Sequence, residues 1–178
     1  MNYTVRSTYT GTDSRLRRAA DIAVTILVCA ALVFLLFRFV LVPFEAGENS
    51  AAELEKGDIV LVDRVSRFVF RLDRGDLLRA ELESGSAFLR LAAFGGETYT
   101  VRNGKAYIDD QLLDEASYGG SWAQYLNISV TIPEGSVLLL PDNRTGIFSL
   151  DGYIASYPQI YGKVRFIVSP LSRFALFD

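Results

Sequence analysis

No histidine occurs anywhere in the chain, and cysteine, methionine and tryptophan occur once each. The first absence removes every catalytic arrangement that passes a proton through imidazole, Ser-His-Asp and Cys-His among them, and every histidine-based metal site. No metal and no cofactor is expected. The one cysteine, Cys29, lies inside an apolar run, so the remainder has neither a disulfide nor thiolate chemistry and folds on its core alone. Lysine is scarce too, at positions 56, 105 and 163. Internal repeats and low-complexity tracts are absent. Beyond residue 42, 13 basic side chains stand against 19 acidic ones, a balance that argues against nucleic acid as a partner, since phosphate binding needs clustered Lys and Arg.

What the chain has in excess is apolar length. From Ile22 to Phe37 it carries no charge, and Ala19 and Ala20 before this run and Phe39 to Val42 after it extend the stretch. A span needs about 20 residues to cross about 30 Å of hydrocarbon, which are available if Arg38 snorkels to the interface. A buried core helix would show a polar face at a 3.6-residue period, and none is present. A cleaved signal peptide would have a shorter apolar core ending in small residues, whereas this one ends in Phe37, Arg38 and Phe39. The expected organisation is a cytoplasmic tail (1–18), a transmembrane anchor (19–42) and one extracytoplasmic domain (43–178). Arg6, Arg15, Arg17 and Arg18 against Asp13 place the N-terminus in the cytoplasm by the positive-inside rule.

The outer part reads as short β-rich runs between turn signals. Strands are expected at Ile59 to Val65, Asp76 to Leu82, Ala87 to Phe94, Ser136 to Leu140 and Val164 to Val168. Asn103-Gly104 tolerates the positive φ of a type I′ hairpin between two alternating strands. From Asp114 to Asn127 the pattern is lost, which suggests a surface excursion. No long amphipathic helix is visible after residue 42. The fold class is mainly β, an antiparallel and partly closed barrel behind one N-terminal transmembrane helix.

In order along the chain stand GENSAAELEKGD (Gly47 to Asp58), RGDLL (Arg74 to Leu78), LRLAAFGGE (Leu89 to Glu97), RNGKAYIDDQLL (Arg102 to Leu113), PDNR (Pro141 to Arg144) and YGK (Tyr161 to Lys163). Behind an apolar anchor, this series resembles the bacterial type I signal peptidases. They carry Gly-x-Ser-Met-x-Pro-Thr-Leu-x-x-Gly-Asp, a second Gly-Asp strand, Lys-Arg-Val-x-Gly-x-Pro-Gly-Asp, an Asn-Gly hairpin, Gly-Asp-Asn-Arg and a late Gly-Lys. The resemblance implies a serine nucleophile and a neutral lysine base kept in an apolar setting.

Counting from Leu54 and Gly57, the nucleophile position falls on Asn49, with Ser50 at the methionine position and Ala52 at the proline. The base position falls on Leu89, followed by Arg90 where the family also has arginine. A carboxamide is no nucleophile at neutral pH, and leucine accepts no proton. A one-residue shift would make Ser50 the nucleophile, but it would need a local bulge and a base, and none of the three lysines lies in the expected strand. The resemblance also implies a peptide groove walled by Phe44, Glu45, Ala46, Gly47, Glu48 and Asn49 on one side and by Ala87, Phe88, Leu89 and Leu91 on the other. An open groove lined by Leu89 and a closed one with Leu89 in the core both remain possible at this point. Gly57, Asp58, Gly75, Asp76, Asp142, Asn143 and Arg144 are read as structural motif residues, with Asp142 and Arg144 pinning their turn. Ser149 is read as a loop residue.

The reading is a catalytically silent, single-pass relative of these peptidases, in contact with cytoplasmic membrane lipid and with an extended or pilin-like surface protein. Inactive members of the family act in pilus assembly, and the resemblance carries that role, and a Gram-positive source, as expectations. An active peptidase using Ser50 and a scaffolding subunit without a groove are the alternatives.

Overall fold

The computed structural model of the chain describes residues 12–47, 51–66, 72–115, 120, 122–144 and 146–177, with side chains from residue 15 onward. It divides into two units, residues 1–38 and 39–178.

The first unit is the helix α1, Thr12–Leu35, followed by a π-helical turn at Leu36–Val40. Its most apolar 18-residue stretch, within Arg15–Val40, has a mean hydropathy of 2.7 and none of that stretch is buried, so it is no core helix. Among the described residues it is the one helix long and apolar enough to cross a membrane. A membrane anchor and a signal sequence both satisfy that test.

The second unit is built on two antiparallel sheets. The larger contains β1 (Leu41–Glu45), β2 (Ile59–Asp63), β3 (Leu77–Leu82), β4 (Gly85–Phe94), β9 (Ser136–Leu140), β10 (Ile154–Ser156), β11 (Ile160–Ser169) and β12 (Ala175–Leu176). Its order is β1-β2-β11-β3-β4-β9-β10, with β12 beside β11. The smaller contains β5 (Thr98–Arg102), β6 (Lys105–Ile108), β7 (Gln111–Leu112) and β8 (Asn127–Thr131), in the order β7-β6-β5-β8. The architecture is a mostly β fold with a curled, half-barrel antiparallel sheet.

The strands follow from the sequence pattern. β2, β3, β4 and β9 fall where alternating or continuous apolar runs demand them, within two residues at each end. The hairpin between β5 and β6 has Asn103 at φ 52° and Gly104 at φ 73°, the pair of positive φ values a type I′ turn requires. The short strands β7, β10 and β12 are not among those expected, and three further elements differ from expectation. β1 begins at Leu41, two residues inside the expected anchor, and accepts Pro43 because it is the edge strand. β11 begins four residues early, because Gly162 is strand and not turn: a Cβ there would lie 2.3 Å from the carbonyl oxygen of Asp63 on β2. β8 has no counterpart in the reading, since its half-buried, polar-alternating run lacks a strong apolar face.

Both faces of the large sheet are covered. On one, Leu78, Leu82, Leu89, Leu91, Val137, Leu139 and Ile160 form a core. On the concave face, Ala46, Ala51, Leu54, Val60, Val62, Phe88 and Val164 pack together, with Phe44 and Tyr161 against them. The small sheet closes a third cluster around Tyr99, Trp122, Leu138 and Leu140.

Candidate functional site

The segment after β1 is tied down by charge. Asp142, just past β9, accepts from the Ala52 N–H at 2.9 Å and from Arg90 Nε and Nη2 at 2.9 and 3.0 Å. Arg90 also donates to the Gly75 carbonyl at 3.0 Å and reaches the Glu53 carboxylate at 2.5 Å. Burial lowers the proton affinity of Arg90, but the bonds and charges of Asp142 and Glu53 outweigh it and hold the guanidinium above its ordinary pKa. One buried ion pair therefore joins β4, the turn after β9 and the 51–54 segment.

The two Gly-Asp motifs repeat one device. Gly57 and Gly75 take φ of 91° and 94°, conformations that L side chains resist, to close their turns. The following aspartate accepts the N–H three residues back, Asp58 from Glu55 and Asp76 from Asp73, each at 2.9 Å. Each then holds a distant cation: Asp58 takes Arg173 at 3.1 Å and Asp76 takes Lys163 at 2.7 Å. Arg144 does not pair with Asp142. It reaches across to Glu115, with its guanidinium 5.0 Å from the centre of the Trp122 ring, so the two motif residues pin different elements. Asn143 is exposed beside them. The buried Tyr99 hydroxyl donates to Glu115 and accepts from Trp122 Nε1. Burial, then the Glu115 charge, push this phenol well above its ordinary pKa, with Arg144 opposing.

Glu48, Asn49 and Ser50 lie outside the described residues. Leu89 does not face the 46–54 segment. Alternation along β4 sends Phe88 and Arg90 to the concave face, where Ala46, Ala51 and Asp142 lie, and Leu89 and Leu91 to the opposite core. Leu89 is 3% exposed and Leu91 fully buried. This corrects the expectation that Leu91 lines a groove: its side chain, like that of Leu89, belongs to the core, and Ala87 packs on the same cluster. Phe44 and Phe88 stay on the concave face, Ala46 is buried there, and Glu45 and Gly47 are exposed. Of the lysines, Lys163 is buried on Asp76, Lys56 is exposed in its Gly-Asp turn, and Lys105 is exposed beyond the hairpin tip. Ser149 is exposed and donates to Asp151 at 2.9 Å, a local loop contact.

Part of β4 has an open edge. Leu91 donates to the Asp76 carbonyl and accepts from the Gly75 N–H, so its backbone groups point toward β3. By alternation those of Ser86 and Phe88 point the other way, where β9 stops at its pairing of Leu140 with Arg90. Proline follows Leu140, and among the described residues no strand continues alongside. Sequence reasoning missed Glu53 and Arg79 on this face. Arg79 sits among alternating polar positions that read as a solvent face.

A curled antiparallel sheet, an apolar N-terminal helix and a Gly-Asp, Arg, Asp-Asn-Arg frame define a signal-peptidase type of protein. The family model for signal peptidase, peptidase S26, matches residues 19–169, and the chain belongs to that family. Among solved structures it is similar to a signal peptidase I from Enterococcus faecalis, at 22% identity and a TM-score of 0.42, over 52% of this chain and 96% of that one. No curated protein matches.

Proposed function

We propose that this member of the signal peptidase family is anchored in the membrane and has lost peptidase activity, and that it holds an extended segment of a secreted or surface protein, such as a pilin-like subunit, during assembly. The observation that carries the reading is Leu89. By the motif count along β4 it falls at the family's base position, and it packs in one core cluster with Leu78, Leu91, Val137 and Leu139 at 3% exposure. A leucine neither accepts a proton nor leaves room for a neighbour that would. Lys163, the one buried lysine among the described residues, is committed to Asp76 at 2.7 Å.

Support for binding without cleavage comes from the backbone. A partner strand added along Ser86 to Phe88 would use main-chain groups, which replacement of two side chains leaves in place. Phe44, half-buried beside that edge, supplies an apolar wall, and Phe88 is buried beneath it.

The test is incubation of the full-length protein in detergent with a preprotein carrying a signal peptide. No hydrolysis at enzymatic rates is expected, and Ser50→Ala should leave the result unchanged. Loss of both dyad functions leaves at most a residual acceleration of about 10³–10⁴ over water. Efficient cleavage abolished by Ser50→Ala would establish an active peptidase instead.

A further inference from the structure

Arg79 projects from β3 onto the concave face, between its cross-strand partners Phe88 on β4 and Gly162 on β11. The glycine leaves space, and the guanidinium carbon lies 4.2 Å from the centre of the Phe44 ring and 5.1 Å from that of Phe88. Phe44 in turn meets Tyr161 edge to face at 4.8 Å. Arg79 thus forms the floor between β1 and the open edge of β4, held by aromatic faces.

Its hydrogen-bonding capacity is unused. Five N–H donors make no hydrogen bond and no ion pair among the described residues. Every described arginine later in the chain than Arg64, Arg79 excepted, holds a carboxylate. A half-buried guanidinium held by rings and without an acceptor in its own chain keeps its donors available to a group from outside the chain. Burial pulls Arg79 below its ordinary pKa, with Tyr161 and Glu81 offsetting part of the effect.

We infer that Arg79 is a specificity residue of the groove, which selects an extended polypeptide carrying an acidic side chain at the position that lies over Arg79 beside Phe44. The inference rests on the strand-adding groove proposed above and adds the chemistry of what enters it. Next to Arg79, a cavity of about 460 Å³ is bordered by Glu81 and Glu83. Those carboxylates repel further negative charge, so the groove accepts an isolated acidic residue and rejects an acidic run. The same repulsion disfavours polyanions. Carboxylate and guanidinium match in fork geometry, and the rings beneath Arg79 fix its plane in advance.

The experiment presents a positional-scanning library of short synthetic peptides to the full-length protein in detergent. Wild type should enrich Asp and Glu at one position by about tenfold over Asn and Gln, the size of one charge-assisted hydrogen-bonded contact. Arg79→Gln should abolish that preference, Arg79→Lys should keep most of it, and Arg79→Glu should reverse it toward Lys and Arg. Thermal melts of the variants must overlay that of the wild type within a few degrees. Because Arg79→Lys keeps the charge, it separates recognition from a packing role even where Arg79→Gln is destabilised. Peptide retention with no charge preference, or a preference that survives Arg79→Gln, overturns the role of Arg79 and leaves the groove standing. Failure of wild type to retain any peptide overturns the groove, and the inference with it.

Discussion

Asp63 shows how far a single carboxylate in this fold is committed to structure. At the end of β2 it accepts from the Val65 N–H at 2.8 Å, the Ser66 N–H at 3.2 Å and the Ser66 hydroxyl, with Arg165 3.7 Å away. Burial alone would raise its pKa, but the bonds from Ser66 and Val65 and the charge of Arg165 prevail and hold it below 3.8. A carboxyl depressed in the folded state contributes stability that is fully present above its unfolded pKa and is lost as the pH falls through the folded value. Asp63→Asn should therefore cost about 1–3 kcal/mol near neutrality. The deficit against wild type should persist down to the ordinary carboxylate value of 3.8 and shrink only below it. Urea unfolding at a series of pH values measures this, and a deficit that is constant into strong acid would show that packing and not charge is at work. The motif aspartates Asp58, Asp76 and Asp142 belong to the same class of residue, each joining a backbone N–H to a distant cation. Their recurrence in short Gly-Asp and Asp-Asn-Arg motifs was legible in the sequence. Their partners were not, because Arg173, Lys163 and Arg90 reach them only through the fold.

At the scale of the element, β4 determines what the site is. Ten residues alternate between two cores, and the step from Leu89 to Arg90 is the step from one face to the other. Leu89→Ala should destabilise the domain by about 2–5 kcal/mol, as removal of a fully enclosed leucine does. Leu89→Asp, which places a carboxylate without a partner among leucines, should unfold it. Equilibrium denaturation followed by tryptophan fluorescence reads both, and a stable, native-like Leu89→Asp protein would mean that the position opens to a groove after all. The strands of β2, β3, β4 and β9 and the Asn103-Gly104 hairpin could be read directly because their periodicity and turn chemistry are local. β11 was read short because Gly162 looks like a turn residue until the backbone of Asp63 is seen against it. The face of Leu89 was likewise undetermined by alternation, since apolar residues occupy both faces of a strand buried on both sides. Arg79 was passed over for the opposite reason: an arginine at a polar position of an alternating strand reads as solvated, and only the curl that brings Phe44 over it gives the guanidinium an aromatic neighbour.

For the whole molecule, the open question is the side of the membrane on which the β domain stands. The apolar stretch ends at Val40 and the first strand begins at Leu41, so with this stretch as the proposed anchor its orientation fixes the compartment of the β domain. Arg6, Arg15, Arg17 and Arg18 precede the stretch with Asp13 as the one acidic residue among the first 18, whereas the part beyond residue 42 carries more acidic than basic side chains. Translocating the N-terminal arginines is opposed by the positive-inside bias, and the acidic domain gives little resistance to export. The positive-inside bias therefore predicts a β domain on the outside, where an extended segment of a secreted partner would be met. Protease added to intact protoplasts should degrade the β domain and leave a fragment that ends near Val40 and retains an N-terminal epitope tag. The buried ion pairs make the folded domain resistant at low protease, so a mildly denaturing condition that leaves the cells closed is the informative one. Protection of the whole chain under that condition, with digestion only after lysis, would place the β domain in the cytoplasm, and a groove there would have to hold a segment that has not yet crossed the membrane.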